Sequence, residues 1–260
     1  MVTTSDFDAW VTCPRPNPHA RLRVFCFPYA GAGSSIFRQW HASLPREVEV
    51  CPIQLPGREG RLRETPFAAL PPLIPKLAMV LSSFLNLPFV FFGHCMGALI
   101  SFELARHLRR QQCPGPVHLF ASGQRAPQLP CELQSIHRLP DTELIGELRR
   151  LNAVPEEVLE DAEFMRMLLP TLRADFAICA TYAYNRQDPL DCSISALGGV
   201  GDFKVSRDQL VAWREQTHGT FTERMFPGDH FFLHTAQADL LRGISQDLTQ
   251  LLSRPAECRC

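Results

Sequence analysis

The sequence predicts an α/β fold, a mostly parallel central sheet with helices on both faces, in one domain spanning 1–260. Three observations lead there. Apolar runs of strand length alternate with segments whose apolar residues recur at helical spacing, and strands joined through helices run parallel. Glycine-rich turns stand where strands give way to helices, at 31–33 and 93–97. The length of 260 residues, 45% of them hydrophobic, suffices for one large core without two independent domains.

Residues 1–20 are polar and carry Pro14, Pro16 and Pro18, the composition of a surface arm, with Trp10 as a candidate anchor. Arg21 to Phe27 alternates into a strand. Pro28 to Ser34 is then a Gly-rich turn ahead of an amphipathic helix carrying Ile36, Phe37, Trp40 and Leu44. Its spacing fits neither the P-loop nor the dinucleotide fingerprint, so its N–H groups are candidates for holding an oxyanion instead. Val48 to Ile53 reads as a strand leading into the turn Gln54-Leu-Pro-Gly-Arg-Glu59. Residues 68–85 read as helix, with Pro71, Pro72 and Pro75 near its start, where missing N–H groups matter least.

Phe89-Val-Phe-Phe92 is an apolar strand that runs directly into Gly93-His-Cys-Met-Gly97 and a helix, whose Leu99, Phe102, Ala105 and Leu108 share a face. Val117 to Ser122 is a strand. From about 133 to 190 the pattern is helical: Asp141 can cap 142–151, Pro155 can start a short helix, and Phe164, Leu168, Leu172, Phe176 and Cys179 form an apolar stripe. Such a stripe is ordinarily core, and an all-helical insertion between late strands of a parallel sheet is also where a substrate lid sits. Ser193 to Leu197 returns to strand, and the loop 198–202 lies at its C-terminal end, where ligands and catalytic groups of open α/β sheets collect. A short helix at 208–214, a last strand at Phe221 to Phe226, a turn at 227–230 and a closing amphipathic helix follow, with a tail to Cys260 expected to fray.

A net charge of −1 and the lack of any long basic run give no electrostatic reason for a nucleic-acid partner. Lys76 and Lys204 are the only lysines. The ten cysteines are scattered without a C-x-x-C pair, mostly in apolar runs, and read as buried reduced thiols. No apolar h-region opens the chain and no run of about 18 apolar residues occurs, so the expectation is a cytoplasmic protein without a membrane span. No metal-ligand constellation stands out, and Cys258-Arg-Cys260 is too little for one.

The chemistry centres on Gly93-His-Cys-Met-Gly97, a nucleophile elbow with cysteine as the central residue. A strand turning sharply into a helix strains that residue, and side chains on the flanking positions would collide with neighbouring backbone. Taken by itself the match fits a buried thiol in a tight turn equally well. Order adds the discrimination: Cys95, Asp202 and His230 each follow a strand, in the nucleophile, acid, histidine order of α/β-hydrolases. A lone loop His is usually solvated and a lone loop Asp usually caps a turn, but three on one sheet edge point to a triad. His230 would take the thiol proton, Asp202 would fix the imidazole tautomer, and the thiolate would attack an acyl carbonyl. The N–H groups of Met96 and Ala30 are the expected oxyanion donors. His94, adjacent to Cys95, should point away and is read as structural.

Phe27-Pro-Tyr-Ala-Gly31, Leu55-Pro-Gly-Arg-Glu59, Gly93 to Gly97, Gly201-Asp202 followed by Leu210-Val-Ala-Trp213, and Pro227-Gly-Asp-His-Phe-Phe232 together resemble the type II thioesterases, the editing enzymes of polyketide and non-ribosomal peptide assembly lines. The resemblance covers nearly the whole chain after residue 20. It implies an α/β-hydrolase fold with a helical lid at about 133–190. It also implies an enzyme that hydrolyses stalled acyl groups from the phosphopantetheine arms of acyl or peptidyl carrier proteins, with no cofactor of its own; the chain is expected to act as a monomer. The departure is Cys95, where the family pattern generally has serine. Attack by Ser on a thioester gives an oxygen ester, which is downhill, whereas attack by Cys gives another thioester, nearly isoenergetic and more open to amine or thiol acceptors. A Cys-dependent acyltransferase therefore stands beside the hydrolase. A small lactone or ester hydrolase of the dienelactone type, which also uses Cys in an elbow, and a non-catalytic carrier-docking protein are further alternatives. Of the remaining residues, Arg58 and Glu59 read as an entrance group or a mutual surface ion pair, Asp229 as a turn former, and Asp175 as a surface or hinge contact on a lid helix.

Overall fold

A computed structural model describes residues 9–130, 136–152 and 154–253. Six strands, β1 (Leu22–Phe27), β2 (Val48–Pro52), β3 (Phe89–His94), β4 (His118–Ser122), β5 (Ser193–Gly199) and β6 (Phe221–Phe226), form one parallel sheet in the order β2-β1-β3-β4-β5-β6. The expected α/β fold is thus the observed one. Side chains alternate across each strand, and here both faces are covered. Phe25, Phe27, Phe89 and Phe91 enter one apolar layer, while Val24, Cys26, Val90 and Phe92 enter the other.

On the first face lie α1 (Leu70–Leu81) and α2 (Met96–Arg110); on the second lies α8 (Gln237–Ser253), preceded by α7 (Phe232–Thr235). The short α6 (Arg207–Val211) follows β5 and opens with a full capping box from Ser206 and Gln209. The segment after β4 holds α3 (Asp141–Arg150), α4 (Glu156–Leu159) and α5 (Ala162–Ala180). These three gather a separate apolar cluster that includes Leu144, Leu148, Leu159, Met165, Leu169 and Leu172.

Several local expectations need correction. Residues 34–44 do not make one amphipathic helix but two 3-10 turns, Ser34–Phe37 and Trp40–Ala42. The three-residue repeat brings Phe37 and Trp40 together edge to face at 4.9 Å, and both pack on Phe92. Pro75 lies inside α1 and not at its start; its position is exposed, so water can serve the Pro71 carbonyl that loses its partner. Asp141 is not a cap: Pro140 holds that place without a side-chain bond, and Asp141, in the first turn, pairs with Arg173 at 2.5 Å. The buried stripe of α5 is rotated from the one expected. Met165, Leu169, Leu172 and Phe176 face inward, while Phe164 is 45% exposed.

Trp10 is buried and takes the Arg61 guanidinium over its ring at 4.2 Å, which ties the N-terminal arm to the loop after β2. Of the described cysteines only Cys26 and Cys51 are fully buried; Cys13, Cys95, Cys179 and Cys192 are half-buried and Cys113 is exposed. Cys131, Cys258 and Cys260 lie outside the described residues, as does the tail from 254.

Candidate active site

Every strand ends at the same edge of the sheet, and the pairings Phe27 with Gly93, His94 with Ser122 and Gly199 with Phe226 set the loops after β1, β3, β5 and β6 side by side there. Cys95 occupies the sharpest of these bends. Its φ of 53° and ψ of −117° place a residue with a Cβ in sparsely populated backbone space. The Ser122 carbonyl receives its N–H at 2.8 Å. The flanking glycines make the bend feasible: a Cβ on Gly93 would lie 2.2 Å from the Gly97 carbonyl oxygen, and one on Gly97 would lie 2.1 Å from that of Phe27. The same close approach sets the Pro28–Ala30 segment against the first turn of α2.

His230 and Asp202 are buried, and the imidazole Nδ1 donates to Asp202 Oδ2 at 2.8 Å. Asp202 Oδ1 accepts the backbone N–H groups of Lys204 at 2.8 Å and Val205 at 3.2 Å, which fix the carboxylate. With Nδ1 occupied, Nε2 is the nitrogen left for the Cys95 sulfur, to which His230 is coupled electrostatically. His94 belongs to the same assembly without competing for the thiol. Its Nε2 donates to the His230 carbonyl at 2.9 Å, so its Nδ1 accepts from the Ser122 hydroxyl at 2.8 Å.

These neighbours shift the acid–base balance. Burial opposes ionisation of Cys95, but the charge on His230, the nearby Lys204 ammonium and the Met96 N–H outweigh it, and the thiol lies below its ordinary value. Burial likewise works against protonation of His230, yet the Cys95 charge and the bond to Asp202 raise it to about 9. The pair therefore favours thiolate with imidazolium. Burial, then the charge of His230, push His94 well below the usual histidine value, so it stays neutral.

Met96 is the first residue of α2, and its N–H favours the thiolate. Ala30 follows β1 on the adjoining turn, and its N–H has no partner among the described residues. The structure thus brings Cys95, Asp202, His230, Met96 and the Ala30 turn to one edge.

Other residues differ from their sequence reading. Asp175 is fully buried rather than at the surface, and Arg58 is 3% exposed; the two form a bidentate pair with both bonds at 2.8 Å. Glu59 pairs with neither, since its carboxylate accepts from Ser34 Oγ and the Ser35 N–H, both at 3.1 Å. Asp229 does shape the turn, accepting the Phe231 N–H at 2.8 Å. Two neighbours of the site lay outside the sequence reading. Lys204 holds its Nζ 5.1 Å from the centre of the Phe231 ring, beside His230. Tyr29 donates to or accepts from His234 Nε2 at 2.9 Å, and burial, with the Cys95 charge, pushes its phenol up to about 12. The rarity of lysine was the one sequence signal for Lys204; Tyr29 stood within the Phe27-Pro-Tyr-Ala-Gly31 motif, but nothing in it assigned the phenol a role.

A cavity of about 320 Å³ opens next to the site between Tyr29, Phe231 and His234 on one side and Arg149, Asn152 and Val154 on the other. A larger one of about 740 Å³ lies at the opposite end of the sheet, against Phe89, Val117 and Leu190, remote from these groups. Among the described residues no cluster of His, Cys, Asp and Glu could hold a metal ion, and no helix is long and apolar enough to cross a membrane.

Residues 22–248 match the family model described as a thioesterase domain. The gramicidin S biosynthesis protein GrsT of Aneurinibacillus migulanus is 47% identical over 253 residues, covering 97% of this chain and 99% of that protein. The solved structure of RedJ, a thioesterase from the prodiginine pathway of Streptomyces coelicolor, superposes with a TM-score of 0.84 at 40% identity, covering 89% of this chain and 92% of RedJ. That of BorB, a type II thioesterase from the borrelidin biosynthetic cluster, does so with a TM-score of 0.83 at 35% identity, covering 92% and 97%.

Proposed function

The chain belongs to the thioesterase domain family, and from that premise we propose that it is a type II thioesterase that hydrolyses acyl groups from the phosphopantetheine arms of carrier proteins in polyketide or non-ribosomal peptide assembly. The observation that carries the reading is the line Asp202–His230–Cys95, with a 2.8 Å carboxylate–imidazole bond and a thiol biased toward thiolate. That is a nucleophile prepared for a carbonyl carbon. The biosynthetic setting of GrsT, RedJ and BorB supports carrier-bound substrates.

In this mechanism Cys95 Sγ attacks the thioester carbonyl while its proton resides on His230. The Met96 and Ala30 N–H groups receive the negative oxygen of the tetrahedral intermediate. Collapse expels the pantetheine thiolate, which takes the proton from His230, and leaves an acyl-Cys95. Water then gives a proton to His230, attacks the same carbonyl, and returns the thiol and a free acid. Asp202 keeps the imidazole oriented and stabilises its charged form throughout. His94 holds the backbone of His230 in place. Helices α3 to α5 act as a lid over the site, and the 320 Å³ cavity beside Tyr29 offers the pantetheine arm a way in. Phosphopantetheine belongs to the substrate; the chemistry draws on side chains and backbone alone, and the protein acts as a monomer.

A second reading, acyl transfer to an amine or thiol, is favoured specifically by the sulfur of Cys95, because the acyl-enzyme remains a thioester. One experiment tests both. Acyl-carrier protein is incubated with the parent and with Cys95→Ala, and carriers and products are weighed by intact mass. Hydrolysis expects loss of the acyl mass with the parent only. Product formation that rises with added amine well above the free-acid background marks transfer, and equal behaviour of the two proteins would refute both readings.

A further inference from the structure

Asp175 spends its two oxygens unevenly. Oδ1 accepts one Arg58 N–H at 2.8 Å; Oδ2 accepts a second at 2.8 Å and also the backbone N–H of Gly31 at 2.7 Å. Arg58 is fully engaged, its remaining donors going to the Ala32 carbonyl at 3.1 Å and the Pro56 carbonyl at 3.3 Å. The pair therefore grips the Tyr29–Ala32 turn at two points, the Gly31 N–H and the Ala32 carbonyl. The turn is closed by Ala32 N–H to Tyr29 O at 3.0 Å, and Gly31 sits at φ 82°, the pattern of a type II turn. In such a turn the central peptide, Ala30–Gly31, can rotate into the type I orientation, and the Gly31 N–H reverses when it does. The Asp175 carboxylate holds it in one sense.

Helix α5 delivers this carboxylate at close quarters. Thr171 Oγ1 donates to the Gly57 carbonyl at 2.5 Å, and a Cβ on Gly31 would lie 2.6 Å from Leu172 Cδ2. Thr171, Leu172 and Asp175 share one helix face, so α5 is pinned both to the Arg58 loop and to the turn carrying Ala30. A buried ion pair is by itself weak ground for stability, because well-packed apolar residues serve as well. What distinguishes this one is its address: of the amides of Ala30, Gly31 and Ala32, only that of Ala30 lacks a partner among the described residues.

We propose that Asp175, locked by Arg58, is a positioning residue for acyl transfer: it fixes the Gly31 peptide, keeps the Ala30 N–H aimed at the oxyanion, and couples the seating of helix α5 to formation of that hole. The inference rests on the assignment of Ala30 as an oxyanion donor under the proposed function. It does not depend on the carrier.

The test compares two reactions of Cys95 in the full chain. Turnover of a small acyl thioester passes through an oxyanion; alkylation by iodoacetamide uses the same thiolate and forms none. Asp175→Asn is expected to lower kcat about 10–100-fold, somewhat less than loss of a whole donor, with KM and the Cys95 alkylation rate each within about 2-fold. Arg58→Lys keeps the carboxylate on Gly31 and is expected to lose about 3–10-fold in kcat with alkylation unchanged. Parallel loss of both reactions means a merely structural pair and overturns the proposal, as does an unchanged kcat in either variant. Should Asp175→Asn not fold, Arg58→Lys decides by the same criteria. If the parent turns over the small thioester but not the acyl-carrier protein, the carrier reading fails while this inference stands; if the parent turns over neither, both fail.

Discussion

Replacing Asp202 by Asn isolates what the carboxylate does for the thiol two steps away. The His230 and Asp202 side chains are 4% and 0% exposed, and their bond is 2.8 Å, so solvent screens it little. A hydrogen bond to a charged group contributes about 1.5–3 kcal/mol net, or about one to two pKa units. His230, held at about 9, is expected to fall by that amount, and the thiolate–imidazolium form loses about 10–100-fold against the neutral pair. The assay is the iodoacetamide alkylation rate of Cys95 against pH, resolved by peptide mass so that the other cysteines do not contribute. Because the thiol is lowered, the parent rate should hold as pH falls below the ordinary cysteine value of about 8.5 and decline only through the lowered one. In Asp202→Asn that decline moves to higher pH by up to about two units, and the two curves converge in alkali. Superimposable curves, or a variant slowed equally at every pH, would refute the coupling.

Cys95→Ser should keep an acyl-enzyme but shift its partition toward water and away from added amine, since an oxygen ester is less activated than a thioester; product ratios by mass spectrometry check this, and an unchanged ratio removes the case for transfer. Gly97→Ala drives a Cβ to 2.1 Å from the Phe27 carbonyl oxygen, where backbone cannot yield, and should cost more than about 3 kcal/mol in denaturant unfolding. Gly60→Ala, with nothing within 4 Å, should stay within about 0.5 kcal/mol and serves as its control. Lys204→Met should move the Cys95 alkylation curve upward in pH, and Lys204→Arg should not; equal curves for Met and parent would show that this cation is not felt at the sulfur.

The parts of the fold legible in the sequence are those set by short-range rules. The six strands alternate with helices because near neighbours in the chain carry the period, and the elbow is readable because its two glycines answer a steric demand within five residues. Asp202 and His230 could be placed at strand ends by the same local reasoning. The Arg58–Asp175 pair could not, because its partners stand 117 residues apart and nothing near either one signals the other. Asp175 stands with Arg173 between Leu172 and Phe176, and the two read equally well as the polar face of a surface helix. The first half of the α5 stripe was assigned one residue out of phase, since Phe164 and Leu168 match the period as well as the buried Met165 and Leu169 do, while Leu172 and Phe176 belong to both. In the 3-10 turns at 34–42, Phe37 and Trp40 pack on Phe92 of β3, a long-range contact on one sheet face that periodicity does not contain.

The bend at Cys95 carries one more consequence. Its cost falls on the backbone and on the Cβ that every residue but glycine shares, and the clearance it requires is provided by Gly93 and Gly97. Nothing in that balance depends on which atom lies beyond Cβ. The position behaves as a socket: the fold supplies a fixed pose, a histidine and a helix N-terminus, and sulfur or oxygen can be exchanged in it without renegotiating the structure around it. A single-atom change at this position can therefore alter the reactivity presented at the sheet edge while the sheet and the helices packed on it stay intact.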